Sequence, residues 1–348
     1  MDKLIEKYIA IGVQYRNSEM DISEAAINRN LRRMRDYVRW GYDQFSYSFP
    51  IKLFAFPEFA TNGYPAHNMA EANQTAQEIP GPITEEISKW AKELDCFMAF
   101  GMMEKIPQYP KAAFNTAVII DDRGKICLKY RKTNPWLPNE IMASPYDVKD
   151  SWDYENNPLF PVAKTRIGNL GAYICNDGMT PEPCRQLAFN GAEVMYHPEL
   201  LMDPWIVPPL NYFELQTRWH SIVNMCYHIA VNGAWEPHQA PPYGFQGGSM
   251  IVDYEGRLLA GCPSSAVESY CMAIIDIKAV RDYRTTMPCH NGLNSFKGEL
   301  YDYYRRPIMF PCHPQMTDDP DWGWGKSREA VSNAMKKFWS DYYKDAVK

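Results

Sequence analysis

Apolar runs of strand length alternate with segments of helical period along most of this 348-residue chain. Runs that predict strands lie at residues 8–13, 51–56, 97–101, 170–175, 194–197 and 228–231. Helices are predicted from about Ile22, over 83–94, after Pro181 and over 212–225. Strands that alternate with helices in this way are typical of a layered α/β fold.

The chain has two similar halves, and each half contains one predicted hairpin. Apolar runs at 116–120 and 126–130 flank the sequence Asp-Asp-Arg-Gly, and runs at 249–252 and 257–260 flank Asp-Tyr-Glu-Gly. The glycine of each turn permits the positive φ that tight hairpins require. Each half combines strand–helix units with one hairpin, which predicts a pseudo-symmetric sandwich with sheets inside and helices outside. The repeat is one of pattern rather than of residue identity.

The first long helix carries a start signal. Asp21 and Glu24 have the D-x-x-E spacing of a capping box, and Ile27, Leu31 and Met34 follow at helical intervals. We therefore expect this helix to begin near Ile22 under a cap from Asp21.

Two segments interrupt the alternation. Residues 135–161 are rich in Pro, Asn, Asp and Trp and predict a long surface loop, and a loop of this length is usually functional. From Tyr283 onward the chain is rich in Tyr, Arg and Pro. We predict one main domain over 1–285 and a C-terminal tail over 286–348 that wraps the domain or a neighbouring subunit.

Composition narrows the class of protein. The chain is 46% hydrophobic and 22% charged, which provides a large core and excludes disorder for most of its length. A net charge of −6 and a pI near 5.7 argue against a nucleic-acid partner. No stretch approaches the ~20 apolar residues of a membrane span, and the charged N-terminus lacks the apolar core of a signal peptide. We expect a cytoplasmic protein that does not associate with membranes.

Cys175 differs from the other eight cysteines by its context. The nine are scattered without a CxxC pair, which predicts reduced, mostly buried thiols and neither a zinc site nor a disulfide framework. Cys175 closes an apolar strand and precedes a tight Asn-Asp-Gly turn, after which Thr180 is a predicted N-cap and Pro181 a first helical residue. Such an elbow exposes a nucleophile at the carboxyl end of a sheet, and the helix N-terminus would favour the thiolate. The alternative is a cysteine that merely ends a buried strand.

Further candidates follow other strands. Glu58 comes directly after an apolar strand, where desolvation would raise its pKa towards that of a useful base. Lys132 ends another strand, eight residues before Glu140 in a Pro-rich loop that also holds Trp136. Taken singly, each charged side chain is more often a solvated one. Their coincidence at strand ends favours a common site.

These residues carry a family resemblance. The segments Phe-Pro-Glu ending at Glu58, Lys-Tyr-Arg-Lys ending at Lys132 and Cys-Asn-Asp-Gly beginning at Cys175 resemble, in this order, the Glu–Lys–Cys set of the nitrilase superfamily. The residues after Lys132, with Trp136 and Glu140, are similar to those of its aliphatic amidase and formamidase branch. The resemblance covers roughly residues 8–310.

The resemblance implies an αββα sandwich that forms a homo-oligomer, a dimer or a higher even-numbered assembly, without metal or organic cofactor. It implies that Cys175 is the nucleophile, Glu58 the base, and Lys132 with the backbone N–H of Asn176 the stabilisers of the oxyanion. Substrate positioning would fall to Glu140, Trp136, Asn176 and Phe59. The expected reaction partners are a small amide and water.

The chain departs from this branch at two places. Tyr and then Ser commonly follow the first glutamate of the branch, whereas Phe59 and Ala60 stand here. Ile141, Met142 and Ala143 replace a Trp-containing turn after Glu140. We therefore expect an acyl pocket that is more apolar or differently shaped. The leading hypothesis is an amidohydrolase that releases ammonia from a short aliphatic amide through a cysteine thioester.

Several alternatives stay open. A nitrilase usually has Trp-Glu after its nucleophile, and Asn176-Asp177 argues against one. An N-carbamoyl-amide hydrolase needs a cationic site for its substrate carboxylate, which Arg and His residues within 205–238 could supply. A catalytically silent binding module is disfavoured because the Glu, Lys and Cys are all present. Papain-like Cys–His catalysis and metal hydrolysis at the Cys-His pairs 289–290 and 312–313 have less support.

Overall fold

The computed structural model describes residues 3–16, 23–63, 68–202, 208–234, 245–264, 267–301, 319 and 322–346. The strands in this part of the chain are β1 (Lys7–Gln14), β2 (Ile51–Ala55), β3 (Phe97–Lys105), β4 (Ala113–Ile120), β5 (Ile126–Arg131), β6 (Ala163–Thr165), β7 (Gly168–Ala172), β8 (Val194–Glu199), β9 (Tyr227–Asn232), β10 (Met250–Val252), β11 (Leu258–Gly261) and β12 (Ser269–Asp276). The helices are α1 (Glu24–Phe45), α2 (Met69–Thr75), α3 (Pro82–Leu94), α4 (Glu182–Phe189), α5 (Tyr212–Asn224), α6 (Ile277–Thr286), α7 (Gly292–Ser295) and α8 (Trp324–Ala346).

The strands form two sheets of six with the same internal plan. The first sheet has the order β12-β1-β2-β3-β4-β5 and the second β11-β10-β9-β8-β7-β6. In the first, β1, β2 and β3 are parallel, the β4–β5 hairpin continues one side, and β12 closes the other side antiparallel to β1. In the second, β7, β8 and β9 are parallel between the β10–β11 hairpin and antiparallel β6. The predicted pseudo-symmetric αββα sandwich is confirmed.

Alternation of side chains along the strands builds separate apolar layers. Ala10 and Leu53 of the first sheet pack with Ala172 and Ile229 of the second in one buried cluster between the sheets. The opposite face of the first sheet packs against α1 and α3, with Trp90 among the buried residues of that layer. Each fully buried side chain of Leu or Ile size stabilises the fold by about 1.5–3 kcal/mol relative to leaving it exposed.

Both predicted hairpins are present. Gly124 lies in the turn between β4 and β5 with φ 74°, and Gly256 lies between β10 and β11 with φ 80°. An L side chain rarely adopts these backbone angles, so the two glycines satisfy the requirement that the sequence indicated.

Some element ends differ from prediction. The cap of α1 is Ser23, whose Oγ accepts a hydrogen bond from the N–H of Ala26 at 3.2 Å, so the expected cap at Asp21, a residue outside the described ranges, was wrong. Strand β7 ends at Ala172, three residues before the predicted end, although the N–H of Tyr173 still donates to the carbonyl of Tyr196 at 3.2 Å and the 3-10 turn begins only at Cys175. The Thr180 hydroxyl donates to the carbonyl of Asp177 and does not cap α4, which begins at Glu182.

The expected surface loop over 135–161 is only partly exposed. Residues 140–145 are buried, and the N–H of Ala143 donates to the carbonyl of Ala113 at 2.8 Å. Ile141 and Met142 pack with Phe59 in a small apolar cluster. The prediction of a surface loop was therefore wrong for 140–145, because these apolar side chains close the end of the sandwich.

The residues after 285 continue against the main body. Helix α6 ends at Thr286, and Leu293 packs against the core between the sheets. In α8, Ser327 and Arg328 donate hydrogen bonds to the carbonyl of Pro138 and the side chain of Asn139. Most of the Tyr- and Arg-rich tract noted in the sequence lies outside the described residues. Among the helices of the described ranges, none is long and apolar enough to cross a membrane.

Candidate functional site

Glu58 lies three residues beyond β2 and is 2% exposed. Its Oε1 accepts hydrogen bonds from Asn115 Nδ2 at 2.6 Å and from Lys132 Nζ at 2.9 Å. Its Oε2 accepts one from the N–H of Leu200 at 3.0 Å. Donors from both sheets therefore fix the orientation of this carboxylate.

The backbone at Glu58 runs directly against β3. A Cβ added to Gly101 would lie 2.8 Å from the nitrogen of Phe59 and 3.1 Å from Cα of Glu58. A Cβ this close to the nitrogen of Phe59 would force the backbone of that segment to move. The observed position of Glu58 therefore requires a residue without a side chain at 101.

Lys132 lies between two carboxylates. Its Nζ donates to Glu58 Oε1 and, at 2.6 Å, to Glu140 Oε2, and the lysine is only 1% exposed. Glu140 also accepts hydrogen bonds from Asn115 Nδ2 at 2.9 Å and from the N–H of Trp136 at 2.8 Å. The sequence-predicted Glu58, Lys132 and Glu140 thus form one buried cluster, which Asn115 completes.

Cys175 opens a 3-10 turn over Cys175–Met179 and has a φ of 47°. This left-handed conformation is uncommon for a residue with a side chain and is held by the surrounding hydrogen bonds. Asp177 supplies the anchor, because its carboxylate accepts from the N–H of Ile174 at 3.0 Å and from the hydroxyls of Tyr130 at 2.8 Å and Thr133 at 2.9 Å. The end of β5 thereby holds the turn that carries the thiol.

Burial sets the proton affinities at this cluster. It raises the pKa of Glu58 to about 6, against the opposing charge of Lys132 and with a further contribution from Glu140. It also raises the pKa of Cys175 well above that of an ordinary thiol, and the charges of Glu199 and Glu58 add to the effect. The expectation that the helix N-terminus would favour the thiolate was therefore wrong. Helix α4 begins only at Glu182, and the field of a helix end decays within about one turn.

The Lys132 ammonium is strongly held in its charged form. Burial acts to lower the pKa of Lys132, but the negative charges of Cys175 when ionised, of Glu140 and of Glu58 outweigh it and raise this pKa well above its usual value. A permanent cation thus lies beside the thiol, where it can stabilise negative charge that develops during a reaction.

A pocket of about 530 Å³, including its open mouth, leads to Cys175. Its described wall contains Trp136, Cys175, Asn176, Met179, Glu199, Leu200, Leu201, Met202, Tyr212 and Gln216. Glu58, Lys132 and Glu140 are not part of this wall; they lie buried behind it, close enough to influence the ionisation of Cys175.

One expectation about the pocket wall is not met. Phe59 does not line the described wall and packs instead beneath the loop of Glu140. Ile141 and Met142 lie in the same cluster and not in the described wall, and the expectation of a more apolar or differently shaped acyl pocket stays a prediction. Trp136 and Asn176 do lie in the wall, as the sequence indicated.

Sequence reasoning missed Asn115, Glu199 and Gln216. Asn115 and its neighbour Thr116 are polar residues within an otherwise apolar strand, which was a usable signal. Glu199 follows Pro198 at the end of a strand, just as Glu58 follows Pro57. Gln216 lies within α5 and carries no comparable signal. Within the described ranges, no three His, Cys, Asp or Glu side chains converge in a way that could hold a metal ion.

Comparison with known proteins identifies the family of this chain. The family model for carbon-nitrogen hydrolases matches residues 13–285. The chain is 29% identical over 240 residues to a formamidase of Bacillus cereus (strain Q1), which covers 67% of this chain and 64% of that protein. It is 33% identical over 187 residues to a formamidase of Bacillus cereus (strain B4264), which covers 52% of this chain and 50% of that protein. The matches thus span 50% and 64% of the length of these two curated relatives.

Solved structures show the same fold. Saccharomyces cerevisiae Nit3, a member of branch 10 of the nitrilase superfamily, superposes with a TM-score of 0.67 at 20% identity and covers 83% of this chain and 97% of that one. An amidase from Nesterenkonia sp. superposes with a TM-score of 0.62 at 17% identity over 85% of this chain and 96% of that one. Because the family model matches residues 13–285, which is most of the chain, this protein belongs to the carbon-nitrogen hydrolase family.

Proposed function

We propose that this protein hydrolyses a short aliphatic amide to a carboxylic acid and ammonia through a thioester on Cys175. The observation that carries the proposal is the buried cluster in which Lys132 bridges Glu58 and Glu140 beside the strained turn of Cys175. The formamidase relatives support an amide as substrate.

The cluster supplies each proton and charge that such a reaction needs. Glu58 takes the thiol proton as the sulfur of Cys175 attacks the amide carbon, and the carbonyl oxygen becomes an oxyanion. Lys132 and the N–H of Asn176, one of the first and therefore unpaired N–H groups of the 3-10 turn, stabilise that oxyanion. Collapse breaks the C–N bond, and the proton on Glu58 passes to the leaving nitrogen, which departs as ammonia.

The second half of the reaction restores the enzyme. Glu58 takes a proton from water, and the resulting hydroxide attacks the thioester carbon. The C–S bond breaks, the acid is released, and the proton on Glu58 returns to the sulfur. Glu140 is held by Lys132 and the N–H of Trp136. It would orient the substrate relative to the ammonium group of Lys132.

The described pocket favours an amide over an N-carbamoyl compound with a free carboxylate. No Arg, Lys or His belongs to its described wall. Among the candidates within 205–238, Arg218 donates to the carbonyl of Gly256 and to Glu214, His220 bonds the carbonyl of Gly178, and His228 bonds Ser221. None of these three lines the described wall, and His238 lies outside the described residues. We also propose an even-numbered homo-oligomer in the cytoplasm, which light scattering after size exclusion and cell fractionation would test.

The experiment is ammonia release from formamide, acetamide, propionamide, the matching nitriles and N-carbamoyl compounds. We expect turnover of amides, its loss in Cys175→Ala and its retention in Cys289→Ala, which removes an exposed cysteine. Mass spectrometry of the quenched reaction should show an acyl adduct on Cys175. Activity that survives Cys175→Ala would overturn the mechanism, and turnover confined to nitriles or carbamoyl compounds would overturn the substrate class.

A further inference from the structure

A second Pro-Glu pair reaches the same edge of the sandwich as Pro57-Glu58. Strand β8 ends in His197-Pro198-Glu199, and β8 has the same place in the second sheet that β2 has in the first. The N–H of Leu200, the next residue, donates to Glu58 Oε2, which joins the two segments. The pseudo-symmetry therefore delivers a second glutamate to the pocket of Cys175.

This glutamate is buried without full compensation. Glu199 is 0% exposed, and its Oε1 accepts a hydrogen bond from Gln216 Nε2 at 2.8 Å. His197 Nε2 lies 2.9 Å from the same oxygen but is not aligned for a hydrogen bond. Within the described ranges, neither Glu199 Oε2 nor Gln216 Oε1 has a donor. A buried carboxylate oxygen without a donor is costly, so these two acceptors indicate a donor that arrives with a ligand.

The charges around Cys175 point to the kind of donor. Lys132 already bonds Glu58 and Glu140, so it does not offset a third carboxylate. His197, which is not part of the described wall, lies against Glu199 Oε1, and no basic side chain of the described ranges donates to Oε2. The rest of the described wall is mainly apolar. A carboxylate oxygen that lacks a donor in a partly enclosed pocket attracts a cationic donor and disfavours an anion.

We propose that Glu199, assisted by Gln216, binds a protonated amine in the acyl part of the substrate, so that the preferred substrates are short amides bearing an ammonium group. This inference rests on the proposed amidase function and names its substrate class. The ammonium would donate to Glu199 Oε2 and Gln216 Oε1, and the methylene groups would contact the apolar wall at Trp136 and Leu200.

Binding of such a substrate would also assist the nucleophile. Burial is the main cause of the raised pKa of Cys175, and Glu199 is the largest of the charges that add to it. An ammonium group paired with Glu199 offsets that charge. The thiol then loses its proton to Glu58 more easily when the correct substrate is bound than when the pocket is empty.

Matched amides test the inference in the unmodified enzyme. Glycinamide and propionamide differ by an ammonium in place of a methyl group, as do β-alaninamide and butyramide, while malonamate carries a carboxylate. At about pH 7 an α-amine is mostly protonated. We expect kcat/KM to be at least about tenfold higher for the ammonium member of one pair, as a charge-assisted hydrogen bond allows, and lowest for malonamate. Equal or faster turnover of propionamide and butyramide would overturn the inference.

Variants separate recognition from chemistry. In Glu199→Gln the ratio of kcat/KM between the preferred ammonium amide and its neutral partner should fall at least about tenfold, with a higher KM for the ammonium amide. Gln216→Met should shift the preference in the same direction by less. Glu214→Gln, on the same helix but paired with Arg218 at 3.0 Å, should behave as wild type.

The outcomes distinguish this inference from the proposed function. Turnover of neutral amides with no ammonium preference leaves an amidase and removes the role of Glu199. An equal loss for both members of a pair in Glu199→Gln also removes it. If Glu199→Gln does not fold, the wild-type comparison and Gln216→Met decide. Failure of the wild type to turn over or be acylated by any amide overturns both proposals.

Discussion

Two opposing effects act on the side chain of Glu58. Burial favours its protonated form, while the ammonium of Lys132 favours its charged form, and burial prevails to raise its pKa to about 6. Near neutral pH the carboxylate is still largely ionised, yet it is a stronger base than a solvated glutamate. This balance suits the role of base that we propose for Glu58, which accepts a proton from a buried thiol and returns it within one turnover.

The pH dependence of turnover follows from this pKa. Below about pH 6 Glu58 is protonated and cannot accept the thiol proton, so kcat/KM should fall with decreasing pH, by roughly tenfold per unit well below the midpoint. Ammonia release measured between pH 4.5 and 8 checks this. Glu58→Gln should lose at least about a hundredfold in kcat. A wild-type acidic limb near pH 4 would contradict the assignment of Glu58 as the base.

Asn115 gives a second prediction at this scale. Its amide donates to both Glu58 and Glu140, which stabilises the charged form of each carboxylate. A hydrogen bond to a charged group contributes about 1.5–3 kcal/mol, and one pKa unit corresponds to about 1.4 kcal/mol. In Asn115→Ala the acidic limb should therefore move up by roughly one pH unit, and kcat at neutral pH should fall. The same pH–rate profile measures both effects.

A buried asparagine elsewhere provides the control. Asn224 is fully buried and its amide donates to the sulfur of Cys184 in the helical layer. Asn224→Ala removes a comparable side chain and should lower thermal stability without moving the acidic limb. A limb that stays in place in Asn115→Ala would show that Asn115 only packs between the glutamates.

At the scale of elements, strand β3 controls the position of Glu58. Gly101→Ala would bring a methyl group within 2.8 Å of the nitrogen of Phe59, so the segment that carries Glu58 must move. Small displacements of a catalytic group have large effects on rate. We expect kcat to fall at least about tenfold while circular dichroism shows the native fold.

Gly261 is the matched control for this substitution. It lies in the edge strand β11, and an added Cβ there has no neighbour closer than 3.8 Å. Gly261→Ala should leave kcat within about twofold of wild type, because the neighbouring chain need not move. Equal kinetics in the two variants would mean that the segment of Glu58 tolerates a shift.

The position of a residue within its strand or helix decides whether the sequence could identify it as part of the site. Cys175, Glu58 and Lys132 are each preceded by an apolar strand, and parallel strands bring their carboxyl ends to one edge, so strand ends identified these candidates. Glu199 also lies at the end of a parallel strand, but its likeness to Glu58 is one of residue identity, which the hydrophobic pattern of the two halves does not reveal. Asn115 and Gln216 act from within a strand and a helix, where only tertiary packing decides which polar side chain faces the site.

At the scale of the whole molecule, the two similar sheets stabilise the fold through their shared interior and carry the polar residues of the site at one edge. The interior between the sheets is apolar, with residues such as Leu53 and Ile229, and provides a rigid frame. The polar groups converge at one edge, where both sheets contribute: Glu58 and Lys132 from the first, Cys175 and Glu199 from the second. The hydrophobic pattern was sufficient to predict the sandwich, whereas the buried segment 140–145 depends on contacts between distant residues and could not be read locally.

The C-terminal helix α8 contacts the loop that carries Glu140. Ser327 and Arg328 bond the carbonyl of Pro138 and the side chain of Asn139, directly before Glu140. A chain that ends at residue 301 keeps both sheets and Leu293 but loses these bonds. We expect it to fold with a severalfold higher KM and a smaller change in kcat, because the loop of Glu140 is less well held. Steady-state kinetics and thermal unfolding measure the two effects.

A shorter chain and two single substitutions provide comparisons for this truncation. A chain that ends at residue 285 also loses Asn291, which is buried and bonds the carbonyl of Arg284, together with Leu293, so it should unfold at a clearly lower temperature than the 301-residue chain. Arg328→Ala alone should raise KM less than the truncation does, and Lys336→Ala, on an exposed face of the same helix, should not raise it. Unfolding of the 301-residue chain would show that the tail belongs to the folding unit, because the two sheets then depend on α8 for their stability.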